Sequence, residues 1–316
     1  MKKILITGGA GFLGKNLGLF LSKTKKYDIL LCSRNNKINQ DVHNETGIKV
    51  SPLDITSIDS VRDIFNFYKP DIVIHAAATK YVDLSENEPM ECIDVNILGS
   101  QNILRVALEM KIKILIGIST DKAAPPVGNL YGHSKAIMER MFTAMSKKTN
   151  TKICCVRFGN IAWSTNSIFP IFKNMTINNN IIESTGSDMR RFFFSINEAC
   201  ELVYRSIKYI KKVNGGILSL EMKSTQIKTI LNIWSKKFKI KWKKIKSRPG
   251  DKIDEYLIGD LEREYCKNIK LDNINHFFLN FDKKIKNHIK KSISTKSSSL
   301  LTKKEIINLI ENEPKN

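Results

Sequence analysis

Long apolar runs are missing from the 316-residue chain: no stretch approaches the ~18 uninterrupted apolar positions that a membrane-spanning helix needs. The start, Met1-Lys2-Lys3-Ile4-Leu5-Ile6-Thr7-Gly8-Gly9, carries two lysines but too few apolar residues before glycine for a secretory signal core. A cytoplasmic protein without a membrane span is expected. Cysteines are few and unpaired in spacing. Cys32, Cys92, Cys154, Cys155, Cys200 and Cys266 form no Cys-x-x-Cys, which argues against a disulfide framework or a metal site and for buried thiols in a reducing compartment. No internal repeat is visible. Acidic residues are outnumbered, 31 against 52 Lys+Arg, leaving a net charge of +21. That excess can mark a nucleic-acid partner, but the lysines are spread among Ile and Asn and form no arginine-rich motif. No nucleic-acid partner is expected, whereas an anionic small substrate suits the charge. With 42% hydrophobic residues the chain is neither disordered nor collagen-like, and its length allows one large or two moderate domains.

The first half alternates short apolar runs with amphipathic stretches. Runs at Ile4–Thr7, Ile29–Cys32, Ile72–Ala76, Ile112–Ser119 and Ile153–Phe158 are separated by helical patterns at 11–22, 58–68, 89–110 and 131–146. This alternation predicts an α/β fold, a doubly wound parallel sheet of Rossmann type, with residues 1–165 and a sheet-associated segment at about 190–215 forming the dinucleotide domain. Residues 166–189 and 216–316 are assigned to a smaller substrate-binding region. Within it, 292–299 reads as a polar linker, and Thr302 with Glu305 as a capping box opening a C-terminal helix.

Thr7-Gly8-Gly9-Ala10-Gly11-Phe12-Leu13-Gly14 follows the first strand and opens the first helix, the setting in which glycines let a backbone approach a pyrophosphate at a helix N-terminus. Gly8, Gly11, Phe12, Leu13 and Gly14 are therefore cofactor candidates. The second strand runs into Ser33-Arg34 where an acid for a ribose hydroxyl would serve NAD. A guanidinium suits a 2′-phosphate, so NADP is favoured over NAD. Asp54 and Ile55 after the third strand could hold the adenine edge, although a surface turn explains Asp54 nearly as well. Tyr131 and Lys135 stand one helical turn apart, and an ammonium beside the phenol would lower its pKa and make it a proton acceptor. Ser119-Thr120 ends the strand before them and offers a hydroxyl to the same substrate oxygen. His133 reads as a helix-surface or cofactor-side residue.

These residues resemble the extended short-chain dehydrogenase/reductases, through the glycine loop, His75-Ala76-Ala77-Ala78 after the fourth strand, and Tyr-x-x-x-Lys. Within that superfamily Ser119-Thr120-Asp121-Lys122-Ala123-Ala124 resembles the polysaccharide-biosynthesis branch, which includes inverting UDP-N-acetylglucosamine 4,6-dehydratases. Lys80-Tyr81-Val82, Val156-Arg157-Phe158-Gly159-Asn160, Arg191-Phe192 and Arg248-Pro249-Gly250-Asp251-Lys252 agree with it. The resemblance implies a nucleotide-sugar 4,6-dehydratase for surface glycan biosynthesis, with Thr120, Asp121, Lys122, Tyr131 and Lys135 catalytic. It also implies cofactor contacts from Ala76, Ala77, Lys80, Tyr131 and Lys135, and substrate contacts from Lys80, Asn160, Ser167, Arg191 and Arg248. Helices near 89–110 and 131–146 would pair in a homo-oligomer, their Ile97, Leu98, Ile103, Leu104, Ile137, Met138 and Met141 facing either a second copy or the sheet. Asp121 and Lys122 alternatively form an exposed ion pair. Rival readings are a 4-epimerase or 4-keto reductase on the same fold, and a non-catalytic NADP or nucleic-acid binder. Two departures from the branch pattern stand out: Trp163 replaces a glycine near the expected sugar pocket, and Pro125-Pro126-Val127-Gly128 is a residue longer than usual.

Overall fold

The structure is a computed structural model that describes residues 1–246 and 250–314. Its apolar runs are buried on both faces, as strands between two helix layers require. Nine strands form one sheet: β1 (Lys2–Thr7), β2 (Tyr27–Ser33), β3 (Lys49–Pro52), β4 (Ile72–His75), β5 (Ile114–Thr120), β6 (Lys152–Phe158), β7 (Gly216–Leu220), β8 (Cys266–Leu271) and β9 (Ile274–Leu279). Their order is β8-β9-β7-β6-β5-β4-β1-β2-β3. Pairings from β3 through β7 are parallel, while β9 runs antiparallel to both β7 and β8. The strand order reverses between β1 and β4, the point at which an α/β sheet opens a crevice beyond its carboxyl ends. Among the described residues no helix is long and apolar enough to cross a membrane.

Three departures from the sequence-based division have physical causes. First, β7, β8 and β9 lie in the segment assigned to the substrate region, yet they extend the main sheet. The edge strand β8 is buried only at its two ends, Cys266 and Leu271, so a search for continuous apolar runs does not find it. Second, the helix expected over 89–110 breaks into Pro89–Ile93, a π turn at Asp94–Leu98, and Gly99–Glu109. The π turn carries Asn96, fully buried against Thr79 and Ser134. Third, residues 292–299 are no free linker: Ile293–Ser294 pairs with Tyr256–Ile258, and Thr295 is buried against Glu255.

A second hydrophobic cluster sits beside the main core. It joins Trp163, Phe169, Phe172, Ile182, Phe193, Ile227, Ile230, Leu231 and Trp234 to Ile306 and Ile310 of the C-terminal helix Lys303–Glu311. Thr302 and Glu305 cap that helix as the sequence predicted. Trp163 is buried within this cluster. Its ring stacks on Phe169 at 5.6 Å and its indole N–H donates to the Leu309 carbonyl at 2.7 Å. The backbone there has φ 65°, a left-handed conformation that favours glycine, so the indole's burial offsets backbone strain.

Arg157 on β6 holds these parts together. Its guanidinium is fully buried and donates to Glu139 at 2.9 and 2.6 Å, to Glu262 at 2.8 and 2.9 Å, and to the Leu257 carbonyl at 2.9 Å. All five N–H groups are thereby used. Glu139 lies on the helix Leu130–Met145, and Glu262 on the short turn Asp260–Tyr265. Arg157→Leu leaves two buried carboxylates without their counter-charge, and urea unfolding should show a loss of about 3–5 kcal/mol. A loss under about 1 kcal/mol, the range of an exposed pair, would contradict this role.

Candidate active site

The crevice at the strand reversal is walled by Thr7 and Gly8 on one side and Ala77–Thr79 on the other, with Ser33, Arg34, Asp54, Ile55 and Glu91 at its far end; the cavity volume is about 210 Å³. Gly8 has φ 67°, and a Cβ there would lie 2.7 Å from the Ala77 nitrogen. A Cβ on Gly14 would overlap the Gly8 carbonyl, so the loop can pass this closely only as glycine. The helix Phe12–Ser22 starts with no side-chain cap and no acidic residue in its first turn, leaving its N–H groups for an anion. Phe12 and Leu13 pack against the core behind the loop. This crevice therefore fits a dinucleotide.

His75 builds the wall opposite the glycine loop. Register places it beside Thr7, whose hydroxyl is 2.8 Å from Nδ1, while Nε2 is 3.0 Å from the Ser100 hydroxyl. Ser100 donates to the Asn96 carbonyl, so it accepts from Nε2–H and leaves Nδ1 to accept from Thr7. The Thr7 oxygen then accepts from the Ala77 N–H at 3.2 Å. Burial, helped by Lys135, pushes the His75 pKa down to about 3 and keeps the imidazole neutral. Asn96 completes the wall, bonding both backbone groups of Thr79 at 2.8 Å and the Ser134 hydroxyl at 3.0 Å.

At the adenosine end, the Ser33 hydroxyl is committed to Asn39 at 2.6 Å. Arg34 is exposed and lies 3.6 Å from Glu91. Asp54 accepts from the Thr56 N–H and hydroxyl while lining the crevice, and Ile55 is buried beside it.

The carboxyl end of β5 carries the densest chemistry. Thr120, Asp121, Tyr131 and Lys135 are all buried. The Thr120 hydroxyl donates to Asp121 Oδ1 at 2.9 Å, and Lys122 Nζ meets the same oxygen at 3.0 Å. Lys122 also reaches Asn160 Oδ1 at 3.4 Å and lies 4.0 Å from Glu255 Oε1. The Asp121–Lys122 pair is therefore not an exposed ion pair. Lys135 Nζ donates to the Ile118 carbonyl at 2.8 Å, and burial lowers its pKa to about 8. The expected lowering of the Tyr131 pKa by Lys135 is not what the protein alone displays. Burial and the Asp121 charge raise it, opposed by a contact with the Thr120 hydroxyl. His133 is exposed on the helix surface.

The profile of the family described as "Polysaccharide biosynthesis protein" matches residues 4–276. The chain belongs to that family. It is an extended short-chain dehydrogenase/reductase of the polysaccharide-biosynthesis branch. A UDP-glucose 4-epimerase of Rickettsia bellii is 34% identical over 83% of this chain and 79% of the relative. The inverting UDP-N-acetylglucosamine 4,6-dehydratase of Campylobacter jejuni is 30% identical over 82% of this chain and 78% of the relative. The solved structure of Pen from Bacillus thuringiensis is 27% identical with a TM-score of 0.90, over 99% of this chain and 97% of that one.

The other residues proposed from the polysaccharide-biosynthesis pattern scatter around this centre. Lys80 Nζ donates to the Thr165 carbonyl at 2.8 Å, and the neighbouring Tyr81 hydroxyl accepts from Asn166 at 3.0 Å, so two loops bridge. The buried Ser167 hydroxyl has no hydrogen-bond partner. Arg191 is buried, but its guanidinium donates to the Arg190 and Lys252 carbonyls at 2.8 and 2.9 Å and stands 3.8 Å from Glu255. It shapes the 252–255 segment, so its fork is not open to a diphosphate here. Arg248 lies outside the described residues. Sequence reasoning named His75 only within the motif after the fourth strand, and it missed Asn96 and Glu255. Glu255 lies three residues beyond Gly250-Asp251-Lys252, just outside the stretch that resembles the family.

Proposed function

We propose that this chain is a nucleotide-sugar 4,6-dehydratase, converting UDP-N-acetylglucosamine to a 4-keto-6-deoxy sugar in the cytoplasm, with NADP at the glycine loop. The observation that carries this reading is the buried Asp121–Lys122 pair, 3.0 Å apart beside Thr120. A 4-epimerase needs Thr120, Tyr131 and Lys135 but no second acid and base. The Campylobacter jejuni relative's name supports the dehydratase reading. The Rickettsia relative's name, UDP-glucose 4-epimerase, makes epimerisation the rival.

A bound nicotinamide dinucleotide supplies the acceptor for hydride from carbon 4 and the donor that returns it to carbon 6. Tyr131 takes the proton of the 4-hydroxyl, positioned by Thr120. The ketone at carbon 4 acidifies carbon 5, from which Lys122 Nζ removes a proton. The electron pair of that C–H bond forms the new double bond to carbon 6. Asp121 protonates the 6-hydroxyl, whose C–O bond breaks to release water. As hydride reaches carbon 6, Lys122 gives its proton back to carbon 5, and the Tyr131 proton passes along the Thr120 hydroxyl to Asp121, replacing the proton that left in the water. Asn160 fixes Lys122, and Ser167 with Lys80 contacts the nucleotide sugar. Exposed Leu84, Met90, Leu98 and Ile137 are assigned to contact with a second copy, whereas Ile103, Leu104 and Met138 are buried against the sheet.

Arg34→Ala should remove about 1.5–3 kcal/mol of NADP affinity by calorimetry, the range for hydrogen bonds to charged groups, and leave NAD affinity nearly unchanged. Wild-type binding of NAD as tight as NADP would contradict the preference. In single turnover, Lys122→Ala and Asp121→Asn should still build up reduced-nicotinamide absorbance while water loss slows by roughly 10²-fold or more. Tyr131→Phe should block that absorbance. Wild-type rates of water loss in Lys122→Ala would overturn the assignment of the pair.

A further inference from the structure

Every strand from β6 across to β2 enters the sheet from one edge, opposite the crevice, because these pairings are all parallel. The first rungs adjoin. The Lys152 N–H donates to the Lys113 carbonyl at 3.0 Å, the Lys113 N–H to the Asp71 carbonyl at 3.1 Å, and the Asp71 N–H to the Lys3 carbonyl at 2.9 Å. At about 4.8 Å per strand this entry edge is roughly 20 Å wide. Lysine leads the chain into it repeatedly: Lys23, Lys25 and Lys26 precede β2, Lys69 precedes β4, Lys111 precedes β5 and Lys148 precedes β6, all of them exposed. Asp28 and Asp71 in the first rungs are already paired, with Lys49 at 3.1 Å and Lys113 at 2.7 Å. Among the described residues none of the entering lysines forms a salt bridge.

A helix C-terminus favours a nearby cation, but that does not account for three lysines before β2. Lys25, Lys69 and Lys111 also have φ of 54°, 51° and 52°, a left-handed conformation in which glycine or asparagine is at ease. Among the described residues the only other left-handed lysine is Lys239. Charge is thus kept at these turns against a backbone cost. Two large apolar side chains stand out among the charges: Phe67, 77% exposed in the last helical turn before Lys69, and Met1, 82% exposed at the start of β1. A groove of about 480 Å³ opens on the same edge, lined by Met1, Lys3, Tyr27, Ile48 and Lys49. At the opposite edge the segment after β4 exposes Glu86, Glu88, Glu91 and Asp94. Charge is therefore polarised along the strand direction.

We propose that the entry edge of the sheet docks on an anionic phospholipid surface, with its lysines over the headgroup phosphates, Phe67 and Met1 at the headgroup boundary, and the crevice facing solution. Lysine is a point charge that suits a fluid layer of phosphates, and the entering turns contain no arginine fork for a fixed one. An exposed phenylalanine and methionine beside those lysines add the apolar contact that interfacial binding uses and a phosphate backbone does not need. The acids around the crevice are repelled by such a surface, so one orientation is favoured. The docking is independent of which reaction the crevice carries out.

Sedimentation of the full chain with lipid vesicles, without substrate or cofactor, tests the proposal. The protein should bind vesicles of phosphatidylglycerol and phosphatidylcholine in equal parts and ignore pure phosphatidylcholine. Binding should be lost as salt shortens the screening length from about 10 Å at 0.1 M to about 3 Å at 1 M. Lys23→Gln, Lys25→Gln and Lys26→Gln combined should weaken partitioning roughly 10²-fold, at about fivefold per lysine. Phe67→Ser should weaken it about tenfold. The same charge removed from the helix Ile227–Phe238 and the residues after it, by Lys236→Gln, Lys239→Gln and Lys241→Gln combined, should cost less than about twofold. Equal weakening by the two triple variants would mean that net charge alone attracts the vesicles, and would overturn the docking face. Equal binding to both kinds of vesicle, binding to neither, or binding of duplex DNA in place of anionic vesicles would overturn it as well.

Discussion

The buried guanidinium of Arg157 is where the sheet, the helix bearing Tyr131 and Lys135, and the segment leading to Glu262 meet. Each of its N–H groups is spent on an anion or a carbonyl, so the three elements share one geometry. Glu139 lies one turn beyond Lys135 on the same helix, which fixes the depth of the ammonium under Ile118. On the other side, the Leu257 carbonyl and Glu262 set the segment that carries Glu255 toward Lys122. A buried charge network is a poor source of net stability, but its breakage is expensive, and that asymmetry pins a catalytic helix to a distant loop.

Around this anchor the site divides by chemistry. The half facing the glycine loop is neutral: His75, Thr7, Ser100 and Asn96 pass hydrogen bonds among themselves and hold the Ala76–Thr79 wall without a net charge. The half at the end of β5 is crowded with charge, and two lysines there differ in surroundings. Lys135 sits under a backbone carbonyl with its pKa lowered by burial, whereas Lys122 stands between carboxylates. This separation keeps proton transfer at the sugar apart from the binding of a dinucleotide's phosphates.

Much of this was legible in the sequence because the signals were local. Ile4-Leu5-Ile6 followed by Gly8 and Gly11 predicts a strand, a tight turn and an open helix start, and the structure has them. Tyr131 and Lys135 needed only the helical period. What escaped detection depended on contacts between distant residues. Asn96 turns inward only because a π turn interrupts its helix. Trp163 was read beside the sugar pocket because it replaces a glycine of the branch pattern, but its backbone is left-handed and its indole fills a core that the nearby Phe169 shares with distant Trp234 and the C-terminal helix. The serine-rich strap at 292–299 looked like a linker by composition, and only its pairing with Tyr256–Ile258 makes it a support for Glu255.

Loss of water from a nucleotide sugar is the reaction proposed for the buried Asp121–Lys122 pair. Incubation of the purified protein and NADP with UDP-N-acetylglucosamine, followed by mass spectrometry and proton NMR of the product, is its decisive test. Dehydration gives a product lighter by one water, with a methyl signal from carbon 6 and a ketone at carbon 4. An isomer of unchanged mass, inverted at carbon 4 and retaining its 6-hydroxyl, would contradict it and establish the epimerase in its place.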